Sequence, residues 1–226
     1  MITTLDRVGP VPDGVAPAGP GADHPMRIVT RQVAFDPDGW TPDRARKVGE
    51  LFDGLASEWH TRHYPGREAP LRDALARGFD GADDPGACLE IGSGDGNGTG
   101  VLVERFARVA ALDLAREMLL RAPAVAPRIQ ADAACLPFAD RSIGVAVLVN
   151  ALLFPTEIDR VLAPTGRIVW VNSRGDQTPI HLPAADVVAA MEAATATGWD
   201  AIASQAGWGT WCVVWRSDGT DSSESP

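Results

Sequence analysis

The period of the apolar positions changes partway along the chain, and the change divides it. Between 41 and 60 the apolar residues Val48, Leu51, Phe52, Leu55 and Trp59 recur at steps of 3, 1, 3 and 4, which places them on one helical face. Thr41-Pro42-Asp43 supplies an N-cap side chain, a proline at the first helical position and an acid in the first turn. Pro65-Gly66 interrupts, and a second helical stretch is expected over 69–79. After that, short apolar runs at 87–91, 108–112, 127–131, 143–149 and 167–171 alternate with helix-like segments near 99–107, 115–121 and 156–163. Strands separated by helices at this spacing predict βαβ units and a parallel sheet. A further helix over 184–194 precedes two runs, 199–204 and 210–216. Those two are expected to pair antiparallel across Gln205-Ala206-Gly207-Trp208-Gly209.

Both ends lack such a pattern. Residues 1–25 are rich in Pro and Gly, and 217–226 are polar, so both are expected to be tails that bury too little surface to offset the entropy of ordering. The body, 26–216, is then one domain, with a helical cap over 26–80 and a core over 81–216. The formal charge of the 226-residue chain is −10, and about half of it belongs to the two tails. No basic face is available to neutralise phosphates, so nucleic acid is not an expected partner. No apolar run reaches the roughly 18 residues of a membrane span, and the N-terminus lacks an apolar leader core. Cys88, Cys135 and Cys212 have no short spacing, which disfavours a disulfide framework and a metal site alike. A cytoplasmic location and a small-molecule partner are the expectations, with the oligomeric state left open.

The stretch Cys88-Leu89-Glu90-Ile91-Gly92-Ser93-Gly94-Asp95-Gly96-Asn97-Gly98 runs from a buried strand through a glycine turn into a helix. Such a turn lets the backbone approach a ligand closely. The dinucleotide fingerprint G-x-G-x-x-G/A fails in all three registers, because Asn97, Thr99 and Val101 stand at its third glycine. What the loop does match is E-x-G-x-G-x-G. Further along, Asp113 ends the next strand, 21 residues beyond Gly92, and Asp132-Ala133 follow the one after. Leu136-Pro137-Phe138-Ala139-Asp140-Arg141-Ser142 and Glu157-Ile158-Asp159-Arg160-Val161-Leu162-Ala163-Pro164-Thr165-Gly166 complete the series.

In these elements and their order the sequence resembles the class I S-adenosylmethionine-dependent methyltransferases. The physical case agrees, since a cofactor with an ammonium and a sulfonium favours nearby carboxylates, and Glu90 and Asp95 supply them. The resemblance implies a Rossmann-like, doubly wound α/β fold with a seven-stranded sheet whose last strand is antiparallel. It implies a cofactor site built from Glu90, Gly92, Ser93, Gly94, Gly96, Asp113, Leu114, Met118, Asp132, Ala133 and Asn150. In that assignment Asp113 accepts the ribose hydroxyls, Leu114 and Met118 lie along the adenine, and Asp132 and Ala133 face its edge. The sequence departs from the family at Ile143-Gly144, where an acid is usual, and at Thr165, where a glycine is usual. Only six residues separate Asn150 from Glu157, where the family commonly fits a helix. That side of the site is expected to be open unless the N-terminal helices cover it.

Methyl transfer needs a positioned acceptor, and a base only if the acceptor must lose a proton. His63, near the end of the first helix, and His181, after the fifth strand, are the candidates. Either can equally be a solvated or packed loop histidine. Trp59 is the candidate for substrate contact and Trp40 for substrate or cofactor contact, against the alternative that both pack the core. No metal ligand set is expected. Two other readings stay open: a methyltransferase-like domain that binds the cofactor without catalysis, and an NAD(P)-dependent oxidoreductase. The second lacks a Tyr-x-x-x-Lys pair, since Lys47 is the only lysine.

Overall fold

The long runs that read as buried strands form the centre of one sheet. A computed structural model of the chain describes residues 1–9, 21–79 and 86–217. Its strands are β1 (Ile2–Thr4), β2 (Cys88–Ile91), β3 (Val109–Asp113), β4 (Arg128–Gln130), β5 (Ile143–Val149), β6 (Leu162–Asn172), β7 (Trp199–Ala206) and β8 (Gly209–Arg216), in the spatial order β1-β7-β8-β6-β5-β2-β3-β4. All neighbours are parallel except at β8, which runs antiparallel to both β6 and β7. The antiparallel pairing of the last two strands is therefore as the sequence suggests. The strand count is not.

The eighth strand is β1, taken from the segment expected to be an unstructured tail. Ile2, Thr3 and Thr4 pair in parallel with Ala201, Ile202 and Ala203. Val8 bridges to Ala206, and the terminal ammonium reaches Asp200. A lone three-residue β-branched run has no periodicity to read, so only the open edge of β7 reveals its role. The second expected tail lies outside the described residues beyond Ser217.

Seven α-helices accompany the sheet among the described residues: α1 (Met26–Phe35), α2 (Pro42–Leu55), α3 (Ala69–Arg77), α4 (Thr99–Arg105), α5 (Arg116–Arg121), α6 (Pro155–Val161) and α7 (Ala184–Thr195). Thr41 caps α2 as expected, its hydroxyl accepting from the Arg44 N–H at 3.2 Å. The helix expected to run on to residue 60 instead tightens into a 3-10 stretch, Ala56–Arg62. Alternate residues sort onto the two faces of the sheet. Leu89, Ile91, Ala146, Leu148, Ile168 and Trp170 face one side with residues of α6 and α7. Cys88, Val145, Val147, Val169 and Val171 face the other with residues of α3 and α4. Both faces are covered, which is why these strands read as unbroken apolar runs. Asp73 of α3 fastens its helix to β8, accepting from Trp211 Nε1 at 2.7 Å while pairing with Arg77.

The two later sequence motifs form one clamp. Glu157 accepts from the Leu136 N–H at 2.6 Å, and Arg160 donates to the carbonyls of Leu136 and Phe138, each at 2.9 Å. The 136–142 turn is thereby laid on α6, ahead of β5. Sheet order reverses between β2 and β5, and in open α/β sheets the crevice outside the carboxyl ends of such strands takes the ligand.

Candidate active site

At that crevice the chain builds a cavity of about 320 Å³, within the range of small-molecule sites. Its floor is the glycine loop. Gly92 and Gly94 have φ of +70° and +57°, which L side chains rarely adopt, and a Cβ on Gly92 would lie 2.6 Å from that of Ala151. Glu90 lies 2% exposed beneath the loop and accepts from the hydroxyl of Thr99, the first residue of α4. Burial raises its carboxyl to about 7 against the pull of that hydrogen bond, and the charges of Asp113 and Asp95 add to the rise.

Asp113, at the end of β3, accepts from the N–H of Gly94 at 2.7 Å and of Ala115 at 2.8 Å. It thus holds the loop in shape and keeps lone pairs on both oxygens for a ligand. Burial raises its pKa, and the backbone donors oppose the rise. Leu114, Met118 and Ala133 line the cavity wall. Asp132 lines it too, its carboxylate accepting from Trp40 Nε1 at 2.9 and 3.1 Å and from the Ala134 N–H at 2.9 Å.

Two of the expected cofactor residues act differently. Gly96 does not line the cavity; its φ is +79°, and a Cβ there would come 2.8 Å from Pro123 Cδ, so its smallness serves packing behind the loop. Asn150 lines the cavity in a left-handed conformation, φ +53°. Its amide, however, is occupied by Ser173, donating to Oγ and accepting from N, both at 2.8 Å.

Neither histidine singled out in the sequence lines this cavity. His63 is exposed and lies 3.0 Å from Asp95. His181 lines a separate cavity of about 220 Å³ and accepts from Arg27 at 3.0 Å. Burial first, then the Arg27 charge, pushes it down to about 4, so it is neutral at pH 7. The histidine that does line the main cavity is His24. Its Nδ1 accepts from the Met26 N–H at 3.1 Å, which leaves Nε2–H as a donor. Arg62, Arg67 and Glu68 also reach it. Sequence reading passed over all four because they stand in stretches without periodicity.

The roof comes from the N-terminal helices. Trp59 lines the cavity, meets Phe52 edge-on at 5.6 Å and carries Arg62 at 5.2 Å from its ring. Ala56, Phe52 and Trp59 pack on Ala115 and Met118, and Asp53 caps α5 by accepting from the Glu117 N–H at 2.7 Å. On the other side Met26 and Val33 of α1 pack with Leu152 and Ile180. This is the side left short between Asn150 and Glu157, and α1 closes it. The sequence places a helical cap over 26–80 but marks no individual helix before residue 41, so α1 is an addition.

The residues fit a cofactor with a nucleoside and an amino-acid tail. Apolar Leu114 and Met118 stand near Asp113, and Ser93 Oγ and Arg67 Nη1 are buried without a hydrogen-bond partner. Sheet order and crevice together define a class I methyltransferase fold. Residues 89–170 match the family described as "Methyltransferase domain", a segment that holds the glycine loop, Asp113 and Asp132, and the match agrees with S-adenosylmethionine as the ligand these residues suit. A 23S rRNA (guanine(748)-N(1))-methyltransferase of Streptomyces fradiae is 32% identical over 120 residues, covering 49% of this chain and 43% of that protein. The chain thus matches less than half the length of that relative. Among solved structures, the 4+2 cyclase SpnF aligns with a TM-score of 0.54 at 18% identity, over 70% of this chain and 74% of its own. An S-adenosylmethionine-dependent methyltransferase of Mesorhizobium loti aligns with a TM-score of 0.39 at 22% identity, over 48% and 53%.

Proposed function

We propose that the whole chain transfers the methyl group of S-adenosylmethionine to a small, predominantly apolar acceptor held beneath the N-terminal helices. The observation that carries this reading is the roof of the cavity. Met26, Trp40, Phe52, Leu152, Phe154 and Ile180 line it, and the only cationic side chains among its lining residues are Arg62 and Arg67, apart from the imidazole of His24. Such a wall suits an apolar molecule and offers no track for a phosphate backbone.

Bound at this site, S-adenosylmethionine would supply an electrophilic methyl carbon on its sulfonium, with the thioether as the leaving group. The chain's own part is placement and exclusion of water. Asp113 and Asp132 would hold the nucleoside, Glu90 would offer its carboxylate to the cationic end from below the loop, and α1 and α2 close the crevice. His24 offers Nε2–H to an oxygen on the acceptor.

Incubation of the purified chain with methyl-labelled cofactor and a panel of apolar alcohols, phenols and amines tests this reading. Label is expected in at least one small product, with an equal yield of S-adenosylhomocysteine. Tight cofactor binding without label in any acceptor would favour the binding-only alternative.

A further inference from the structure

The acceptor end of the main cavity is made of two pieces of chain far apart in sequence. His24 and Met26 come from the turn that enters α1, and Thr178, Pro179 and Ile180 from the loop that follows β6. The turn is weakly fixed from within, since α1 starts after Pro25 with no side-chain cap. Among the described residues, the hydrogen bonds of His24 reach only its own neighbours in the chain. Its N–H donates to the Gly21 carbonyl at 3.2 Å, its Nδ1 accepts from the Met26 N–H at 3.1 Å, and its carbonyl accepts from the Arg27 N–H at 2.9 Å. Bonds this local leave the direction of the imidazole, and so of Nε2–H, to follow any tilt of the turn.

Arg27 ties that turn to the opposite loop. Its guanidinium reaches across, Nη1 donating to His181 Nδ1 at 3.0 Å and Nη2 to the Asp176 carbonyl. Asp176 and His181 bracket the three loop residues that line the cavity. Both partners are neutral acceptors of a charged donor, the stronger kind of hydrogen bond. His181 accepts at Nδ1 only while neutral, and burial followed by the Arg27 charge holds it at about 4, with Asp176 and Asp186 pulling the other way. Gly21, at φ +54°, lets the turn approach so closely that a Cβ there would collide with Gln177 Oε1. One turn further along α1, Arg31 pairs with Asp186 of α7 at 2.6 Å and fastens the helix at a second point. Arg27 alone is joined directly to His24, through its main chain, and to the bracketing residues, through its side chain.

We propose that Arg27 is a positioning residue: by bridging to Asp176 and His181 it fixes the turn at His24, and with it the direction in which Nε2–H meets the acceptor. This rests on the small-molecule reading of the cavity, with His24 as donor to the acceptor. Arg27 does not itself line the cavity, so it acts through His24. A hydrogen bond weakens steeply as its angle departs from linear, and a turn able to tilt loses that contact before the wall opens. The planar fork reaches two partners at once, which the single ammonium of lysine does not reproduce.

Two measurements on the full chain test the assignment. The first needs no acceptor and follows the ring nitrogens of the four histidines by NMR, with histidine isotope-labelled. The unsubstituted chain is expected to show His24 in one tautomer, with the proton on Nε2. Arg27→Gln and Arg27→Ala should move the His24 nitrogens toward the average of the two tautomers. His181 should titrate higher in both, because the Arg27 charge that lowers it is gone. Unchanged His24 nitrogens or an unchanged His181 titration in these variants would overturn the assignment. The second measurement is turnover with the acceptor that takes most label, in a cycle with His24→Ala. Arg27→Ala is expected to lower kcat/KM for that acceptor by about 3- to 10-fold, the range of one lost neutral hydrogen bond, with Arg27→Lys recovering part. Affinity for S-adenosylhomocysteine should stay unchanged, which certifies the fold, and if the Ala variant fails to fold the Gln variant takes its place. In the His24→Ala chain the same substitution should cost little. An equal loss there would overturn the assignment, since Arg27 would then support the wall and not His24. If no acceptor takes label, the small-molecule reading falls by itself, and the histidine resonances still decide whether Arg27 sets His24.

Discussion

At the scale of single residues, Glu90 makes the sharpest prediction because its charge state differs with and without ligand. Its carboxyl stands near 7 in the folded chain and at an ordinary 4.5 in water. Between those values the folded state holds a proton that the unfolded state has lost, so stability of the ligand-free chain falls as pH rises through this window. A cationic ligand above the loop reverses the preference and favours the carboxylate, so binding releases a proton. Affinity for S-adenosylmethionine should therefore rise as pH increases from 6 toward 8. Calorimetry in buffers of different ionisation heat should detect the released proton near pH 6.5. Glu90→Gln should flatten the profile, and an unchanged slope in that variant would assign the proton to another group. Position explains why this residue was legible: a carboxylate at the end of a buried strand beside a glycine turn has few structural uses. His24 and Arg67 carried no comparable signal, since each acquires meaning only from what folds around it.

At the scale of elements, strands β2 to β6 announce themselves because burial on both faces leaves them continuously apolar. The cap was only half legible. The helix α2 has a strong cap and a clear stripe, and both are present. By contrast α1 follows a proline- and glycine-rich stretch, starts after Pro25 with no side-chain cap, and buries only Met26, Thr30, Val33 and Ala34. Its role as the missing wall comes from the shortened segment after Asn150, and that is a tertiary fact. The link between the cap and the nucleoside end is Trp40, whose indole N–H is shared by both oxygens of Asp132 while its ring meets Phe154 at 5.3 Å. Trp40→Phe keeps an aromatic ring there and removes the donor, at a cost of about 1.5–3 kcal/mol for a hydrogen bond to a charged group. The expected outcome is faster proteolysis between 20 and 40 and a larger loss in methyl transfer than in S-adenosylhomocysteine affinity. Equal losses in both would mean that Trp40 serves the cofactor and not closure.

At the scale of the whole molecule, charge bears on which acceptor the proposed activity would use. The Streptomyces fradiae relative is described as acting on 23S rRNA, and the likeness covers 120 residues. Polyanion binding depends on cations placed to displace counterions, and it weakens steeply as salt rises. This chain carries 30 acidic against 20 basic side chains, and many of its arginines are already committed. Arg46, Arg77, Arg160 and Arg216 are each paired with an acid, and Arg160 and Arg216 also hold carbonyls. Among the described residues no helix is long and apolar enough to cross a membrane, and no group of three or more His, Cys, Asp or Glu side chains stands ready for a metal. A net repulsive field and an apolar roof together oppose an RNA acceptor. The expected outcome is no saturable binding of a 23S rRNA hairpin at about 0.15 M salt, where screening already limits charge effects to about 8 Å. Labelled cofactor should leave that RNA unmodified as well. Binding that strengthens as salt is lowered, accompanied by methyl transfer to a guanine, would overturn the small-molecule reading and leave the cofactor site intact.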